Sequence, residues 1–388
     1  MSEDLVIDFK ICQHAQTCSG CFYFRDDYQV SLDIQKSEKI ESFCKSTRDL
    51  AWAGKKLNFT YLNPNPLQYR NHLDFTLDHG KLGLYHHPTQ QITDIENCLV
   101  LDSNLLKHYR QVKTLLPKDK KGSLKMRYDG CEKFGVWFDF SNLDIKELLE
   151  KKDLLQSILK TNFVEMGQRG KSVIEKAGEL KLSLPVYRLW FSTLYKDKTI
   201  PLFSLIKSFT QSGLKNNYSM IQEIQSFYRT KFGSRQLSKA LEMGCGIGNL
   251  TIPFLEFFRS ITCFEFDQTA LDGLALTKKR LESENLIAED QIQLVHGDFY
   301  QQQALQNLDL DSHQALILNP ARAGVGNYLE LLSTHQSIEV IFLMSCYLEG
   351  FTKDAELIQE AGFQCEKVIL FDQFSFSKHF EILSFWSR

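Results

Sequence analysis

The chain has 388 residues, which at roughly 150 per domain allows two or three domains and excludes a small disulfide-stapled module. Hydrophobic residues make up 43% and charged residues 24%; this is ordinary globular usage, and no apolar run approaches the roughly 20 residues of a membrane span, so no membrane partner is expected. The formal net charge of −3, from 45 basic and 48 acidic side chains, argues against a uniformly basic nucleic-acid binder. The charges are unevenly spread, however. Residues 101–200 carry 20 basic and 13 acidic side chains, a surplus of 7, while residues 201–388 carry 15 and 22, a deficit of 7.

The start, Met1-Ser2-Glu3-Asp4-Leu5, lacks the basic and apolar regions of a signal peptide, so a cytoplasmic, reducing location is expected. Cys12-x5-Cys18-x2-Cys21 follows at once, with Cys44, Cys98 and Cys131 next in the chain. Three thiols within ten residues predict a soft tetrahedral site for zinc or an iron-sulfur cluster, completed by one distant ligand that periodicity cannot choose. Gln29 to Trp52 has no internal Pro and reads as a helix. The alternation in Leu73 to Leu77 and Leu82 to Leu84, around Asp78-His79-Gly80, reads as a hairpin. Eight Lys/Arg from Lys107 to Arg127 (Lys107, Arg110, Lys113, Lys118, Lys120, Lys121, Lys125, Arg127) face the single acid Asp119. They suggest a phosphate-facing patch, against the plainer reading of a solvated surface. Ser123 to Tyr128 and Phe134 to Phe140 form a further strand pair, and Glu147 to Lys160 a helix able to bury Leu148, Leu149, Leu155 and Ile158.

After residue 200 strands and helices alternate, which predicts an α/β domain with a doubly wound, largely parallel sheet. The seven candidate strands are Ala240 to Met243, Ile261 to Phe266, Gln291 to Val295, Ala315 to Leu318, Val340 to Met344, Lys367 to Phe371 and Phe380 to Phe385. Ligands of such sheets bind beyond the carboxyl ends of the strands. Gly244-Cys245-Gly246-Ile247-Gly248-Asn249 follows the first strand, Glu265 ends the second and Asp298 follows the third. Glycines let the backbone approach a cofactor, and a carboxylate at the second strand can accept both hydroxyls of a ribose. This arrangement resembles the S-adenosylmethionine site of class I methyltransferases. Asn319-Pro320 and Ser345-Cys346 end the fourth and fifth strands. An amide beside a thiol suggests pyrimidine C5 methylation, because C5 becomes nucleophilic only after a thiolate adds to C6. His379-Phe380-Glu381 then supplies a carboxylate to remove the C5 proton.

Taken with these motifs, the chain resembles the S-adenosylmethionine-dependent RNA uracil-5-methyltransferases, specifically the iron-sulfur branch acting on 23S ribosomal RNA, almost from end to end. The resemblance implies a class I, Rossmann-like seven-stranded methyltransferase sheet over residues 201–388 and a mixed α+β iron-sulfur and RNA-binding domain over residues 1–200, whose helix around 29–52 is free to pack on the methyltransferase domain. It also implies a [4Fe-4S] cluster on Cys12, Cys18, Cys21 and Cys98. The Tyr-Arg-Asn element matches Tyr69-Arg70-Asn71, and the Phe-x-Gln element matches Phe209-Thr210-Gln211. Gln211, Gly244, Gly246, Glu265, Asp298 and Asn319 are implied at the cofactor and base, Cys346 as nucleophile and Glu381 as proton acceptor. With eleven residues before Cys12, the chain resembles the shorter members that lack the N-terminal TRAM barrel, and a monomer is expected.

The chain departs from the family pattern at Asn319 (usually Asp), Tyr347-Leu348 (usually Asn-Pro), Lys378 (usually Gly) and Gly213 (usually Asn). An asparagine can accept the uracil N3 proton and donate to O4, whereas an ionised Asp can only accept, so Asn319 is compatible with catalysis. The rival readings are an RNA cytosine-5-methyltransferase, which leaves the clustered cysteines unexplained, and a catalytically impaired RNA-binding or assembly factor of the same fold.

Overall fold

Val340-Ile341-Phe342-Leu343-Met344 is apolar at every position, so a strand built from it must be covered on both faces. The computed structural model of this chain does so. It describes residues 12–24, 27–50, 59–140, 152–167, 170–233, 235–301, 309–333 and 335–388. By contact density the chain divides into two compact units, each made of non-contiguous segments. One holds residues up to 37 together with 65–186 and 374–378, and the other holds 38–64, 187–373 and 379–388. Residues 38–64 and 187–200, read from the sequence with the first domain, thus group with the second.

The second unit is built on an eight-stranded sheet. From one edge to the other its strands are Phe59–Leu62, Gln364–Phe371, Glu381–Ser387, Val340–Ser345, Ala315–Leu318, Leu237–Met243, Phe258–Glu265 and Ile292–His296. All pairs are parallel except those of Glu381–Ser387, which runs antiparallel to both neighbours. Seven of these strands are the expected ones. The eighth, Phe59–Leu62, joins the sheet edge beside Val368 to Phe371, so the seven-stranded expectation is extended by a strand from far upstream. Successive residues along each strand feed two cores. Ala240, Ile317, Phe342, Met344 and Phe385 lie in one, and Leu241, Leu316, Leu343, Ile382 and Trp386 in the other. The chain leaves Leu237–Met243 toward one side of the sheet and returns on the other at Ala315–Leu318. The carboxyl ends of these two neighbours therefore border the crevice at which the strand order reverses.

The first unit carries a second eight-stranded sheet, ordered Gln91–Asp94, Lys81–His86, His72–Asp78, Lys121–Tyr128, Phe134–Phe140, Asn162–Met166, Lys171–Lys176 and Glu179–Ser183. Only the pair Phe134–Phe140 with Asn162–Met166 is parallel. The hairpin at Asp78-His79-Gly80 forms, with His79 at φ 48° and Gly80 at φ 80°, the left-handed pair that a two-residue turn requires. Helix Ser103–Leu115 is capped by Asp102, whose carboxylate accepts from the backbone of Asn104 and Leu105. It buries Leu105, Tyr109 and Val112 against the sheet together with Leu155 and Ile158 of helix Lys152–Leu159. The upstream helix spans Tyr28–Ser46, shorter than expected; Ala51 and Trp52 lie outside the described residues, as do Leu148 and Leu149. Among the described residues no helix is long and apolar enough to cross a membrane.

Candidate active site and cysteine cavity

At the crevice of the second unit, Gly244 turns the chain at φ 78°. A Cβ there would lie 2.4 Å from the Asn319 carbonyl oxygen, so glycine is what lets the two strand ends meet. The Asn319 N–H donates to the Met243 carbonyl at 3.1 Å, closing that approach. Gly246 has φ 55°, with no atom within 4 Å of where its Cβ would be. Its N–H donates to Glu265 Oε2 at 2.8 Å, and Glu265 Oε1 accepts from the backbone of Phe266 and Asp267, both at 2.9 Å. A carboxylate offers about four acceptor sites, so Glu265 is held by three donors and still has acceptor capacity. Asp298, after the next strand, accepts from the Tyr300 N–H at 3.0 Å and from the Gln301 amide at 3.3 Å.

Cys346 is half-buried at the end of Val340–Ser345. Burial pushes its thiol up, the Glu381 carboxylate adds to this, and the Arg322 guanidinium opposes it. Glu381 is buried, and desolvation raises its carboxyl to about 7 against the opposing hydrogen bond from Gln373. The side-chain amide of Gln373 donates to Glu381 Oε1 at 2.9 Å and to Gln211 Oε1 at 2.7 Å. The Ser212 hydroxyl donates to the Gln373 carbonyl at 3.1 Å. Gln211, from one end of the unit's sequence, and Glu381, from the other, are thus joined through one amide. Gln373 escaped the sequence reading, although its place just beyond strand Gln364–Phe371 was the available signal. Asp354 escaped too, and no sequence signal marks it. Buried in helix Leu348–Glu360 and raised to about 6 by that burial, it accepts from the Val325 and Gly326 N–H groups and holds the loop that follows Asn319 to Arg322.

In the first unit, Cys12, Cys18, Cys21 and Cys98 line a single cavity of about 80 Å³, together with Arg70 and Phe376. Cys44 and Cys131 are exposed and do not line it. Burial raises all four thiols, Cys98 to about 11. Among the described residues no three His, Cys, Asp or Glu side chains converge closely enough to hold a single metal ion.

The basic stretch is different from its linear appearance. Lys113 reaches Asp94 at 2.8 Å and Glu96 at 2.6 Å, Lys125 reaches Asp74 at 2.5 Å and Lys121 reaches Asp78 at 3.6 Å. Arg110 donates to the Glu96 carbonyl and to Asn97. Lys120 and Arg127 are buried, and burial lowers Arg127 to about 10 with Glu165 and Asp74 opposing. Lys107, Lys118 and Lys121 remain exposed. The eight residues therefore do not form one uniform phosphate-facing patch: Arg110, Lys113 and Lys125 are held by groups elsewhere in the unit, and Lys120 and Arg127 are buried in it.

Residues 156–388 match the model of the tRNA (uracil-5-)-methyltransferase family. An uncharacterized RNA methyltransferase of Bdellovibrio bacteriovorus is 30% identical over 380 residues, covering 97% of this chain and 95% of that one. A tRNA/tmRNA (uracil-C(5))-methyltransferase of Aliarcobacter butzleri is 25% identical, covering 95% of this chain and 97% of its own length. In architecture the chain is similar to the Pyrococcus abyssi tRNA (uracil-54, C5)-methyltransferase solved with S-adenosyl-L-homocysteine, with TM-score 0.64, 13% identity, and coverage of 92% of this chain and 83% of that one. The chain therefore belongs to the tRNA (uracil-5-)-methyltransferase family and is an S-adenosylmethionine-dependent RNA (uracil-5-)-methyltransferase with the class I α/β fold.

Proposed function

We propose that this chain methylates C5 of a uridine in 23S ribosomal RNA through a covalent adduct between Cys346 and C6, resolved by Glu381. The observation that carries the reading is the buried amide link from Gln211 through Gln373 to Glu381, beside a thiol that is electrostatically coupled to the same carboxylate. The Cys346 thiolate adds to C6 of a base taken out of its stack, and the C5–C6 electron pair moves onto C5 and O4. Asn319 reads N3–H and O4 while Gln211 orients the ring. The Gly244–Gly248 turn, Glu265 and Asp298 would hold S-adenosylmethionine, which would supply the methyl for the new bond at C5 and leave as S-adenosylhomocysteine. The residues suit it: the turn is open at Gly246 and Glu265 retains lone pairs for ribose hydroxyls. Glu381 then takes the C5 proton, the C5–C6 double bond re-forms, and Cys346 leaves as thiolate.

The cysteine cavity supports a [4Fe-4S] cluster on Cys12, Cys18, Cys21 and Cys98. The four thiols share one enclosed space, and the nearby Arg70 guanidinium has Cys98 and Cys21 among its electrostatic neighbours, a setting that favours ligands carrying negative charge. Anaerobically purified protein should be brown and contain iron; a colourless protein with one zinc per chain overturns the cluster. The cysteine pattern is what favours ribosomal RNA, whereas the Aliarcobacter relative bears a tRNA/tmRNA name. Mapping 5-methyluridine with and without the gene decides between them: a site lost from 23S RNA is expected, and a site lost only from tRNA overturns that target. Replacing both Lys107 and Lys118 by Ala should make RNA affinity less salt-dependent by roughly one to two units of slope, measured by titration at several ionic strengths.

A further inference from the structure

We infer that Lys39 and Tyr61, through Asp372, are positioning residues that hold Gln373 against the catalytic carboxylate. The inference rests on the assignment of Glu381 as proton acceptor. Asp372 follows strand Gln364–Phe371, and three groups fix it. Its N–H donates to the Leu62 carbonyl at 2.7 Å, extending the parallel pairing of Leu62 with Phe371 by one step. Its Oδ1 lies 2.8 Å from Lys39 Nζ in an ion pair with neither side chain exposed, and its Oδ2 accepts from the Tyr61 hydroxyl at 2.5 Å. The next residue is Gln373, whose N–H turns back to the Phe371 carbonyl at 3.1 Å and whose side chain bridges Gln211 and Glu381.

A fully buried ion pair is weak evidence for stability, because apolar side chains of similar volume do as well or better in the same space. This one sits where it specifies geometry. The edge strand Phe59–Leu62 and helix Tyr28–Ser46 bring a hydroxyl and an ammonium to one carboxylate, one peptide unit from the amide that touches the base. With Asp372 free to shift, the Gln373 amide leaves Glu381 Oε1. Loss of a donor to the ionised form makes that form less favourable, so proton removal slows and moves to higher pH.

Two proteins test this. Tyr61→Phe removes one hydrogen bond, and the double replacement Lys39→Met with Asp372→Leu removes the ion pair while keeping the space filled. In both, breakdown of the RNA adduct should be about tenfold slower, with its pH midpoint raised, while S-adenosylmethionine binding measured by calorimetry stays unchanged. A double variant that melts like the parent and resolves the adduct at the parental rate and pH midpoint overturns the inference. Should the double variant not fold, Tyr61→Phe decides by the same readouts. Glu381→Gln provides the separate control. If it turns over normally, the assignment of the base fails rather than its positioning; if it stalls, adding Tyr61→Phe should slow it no further.

Discussion

Glu381→Gln should yield an RNA-linked protein band on a denaturing gel, carrying label from methyl-labelled S-adenosylmethionine and absent when Cys346→Ala is added. Without the thiol no bond to C6 can form, so Cys346→Ala alone should give neither product nor adduct while still binding RNA. Glutamine keeps the shape of Glu381 and can still hydrogen-bond Gln373, but it is a far poorer proton acceptor. Thiolate addition and methyl transfer both precede proton removal. The variant should therefore stop with Cys346 joined to a base already methylated at C5, its turnover lowered by about 10²–10⁴. Turnover at the parental rate, or a stall without a covalent species in a folded protein that binds both substrates, would place the base elsewhere.

The raised Glu381 carboxyl adds a pH signature. With its value at about 7 the group is protonated below neutrality and cannot take the C5 proton. Adduct breakdown should rise with pH through about 7, as the Glu381 carboxyl ionises. Stability has the opposite slope. A carboxyl raised by burial favours the fold in its neutral form, and that contribution is lost as pH climbs from the ordinary carboxylate range through about 7. Glu242, buried and raised to about 8, and Asp354, raised to about 6, act in the same direction. His14, His72, His108 and His313, lowered by burial, act in the opposite direction, so the Glu381 contribution is read as a difference: between pH 5 and pH 8 the denaturant midpoint of Glu381→Gln should fall less, or rise more, than that of the parent.

The second large effect is expected at Gly244. Its φ of 78° is left-handed, and an added methyl meets the Asn319 carbonyl oxygen at 2.4 Å. The obstacle is backbone, so relief requires separating the ends of two hydrogen-bonded neighbouring strands. Gly244→Ala should cost about 3 kcal/mol or more and abolish S-adenosylmethionine binding by calorimetry. Gly246→Ala meets no atom within 4 Å and should cost only the left-handed backbone penalty of about 1–2 kcal/mol. Equal melting of the two variants would show that the Gly244 turn yields more easily than this contact implies.

Local pattern was enough to reveal the strand ends that carry Gly244, Glu265, Asp298, Asn319 and Cys346. Apolar strands alternating with helices are periodic signals, and the reversal point of a parallel sheet follows from their order. The clustered Cys12, Cys18 and Cys21 were legible for the same reason, being close in sequence. Spacing could not choose the later thiol, since Cys98 and Cys131 look alike along the chain; the family resemblance pointed to Cys98, and the folded first unit puts Cys98 with the three and leaves Cys131 exposed. The basic stretch misled because its partners Asp74, Asp78, Asp94 and Glu96 lie on other strands or beyond them, where charge counting along the chain does not look. Gln373 and its supports at Lys39 and Tyr61 are separated by more than three hundred residues, and a hydrogen bond carries no sequence signature across such a gap. Composition and periodicity thus determined the elements and the chemistry at their ends, while tertiary structure alone decided which polar groups are paired, because pairing depends on distance in space.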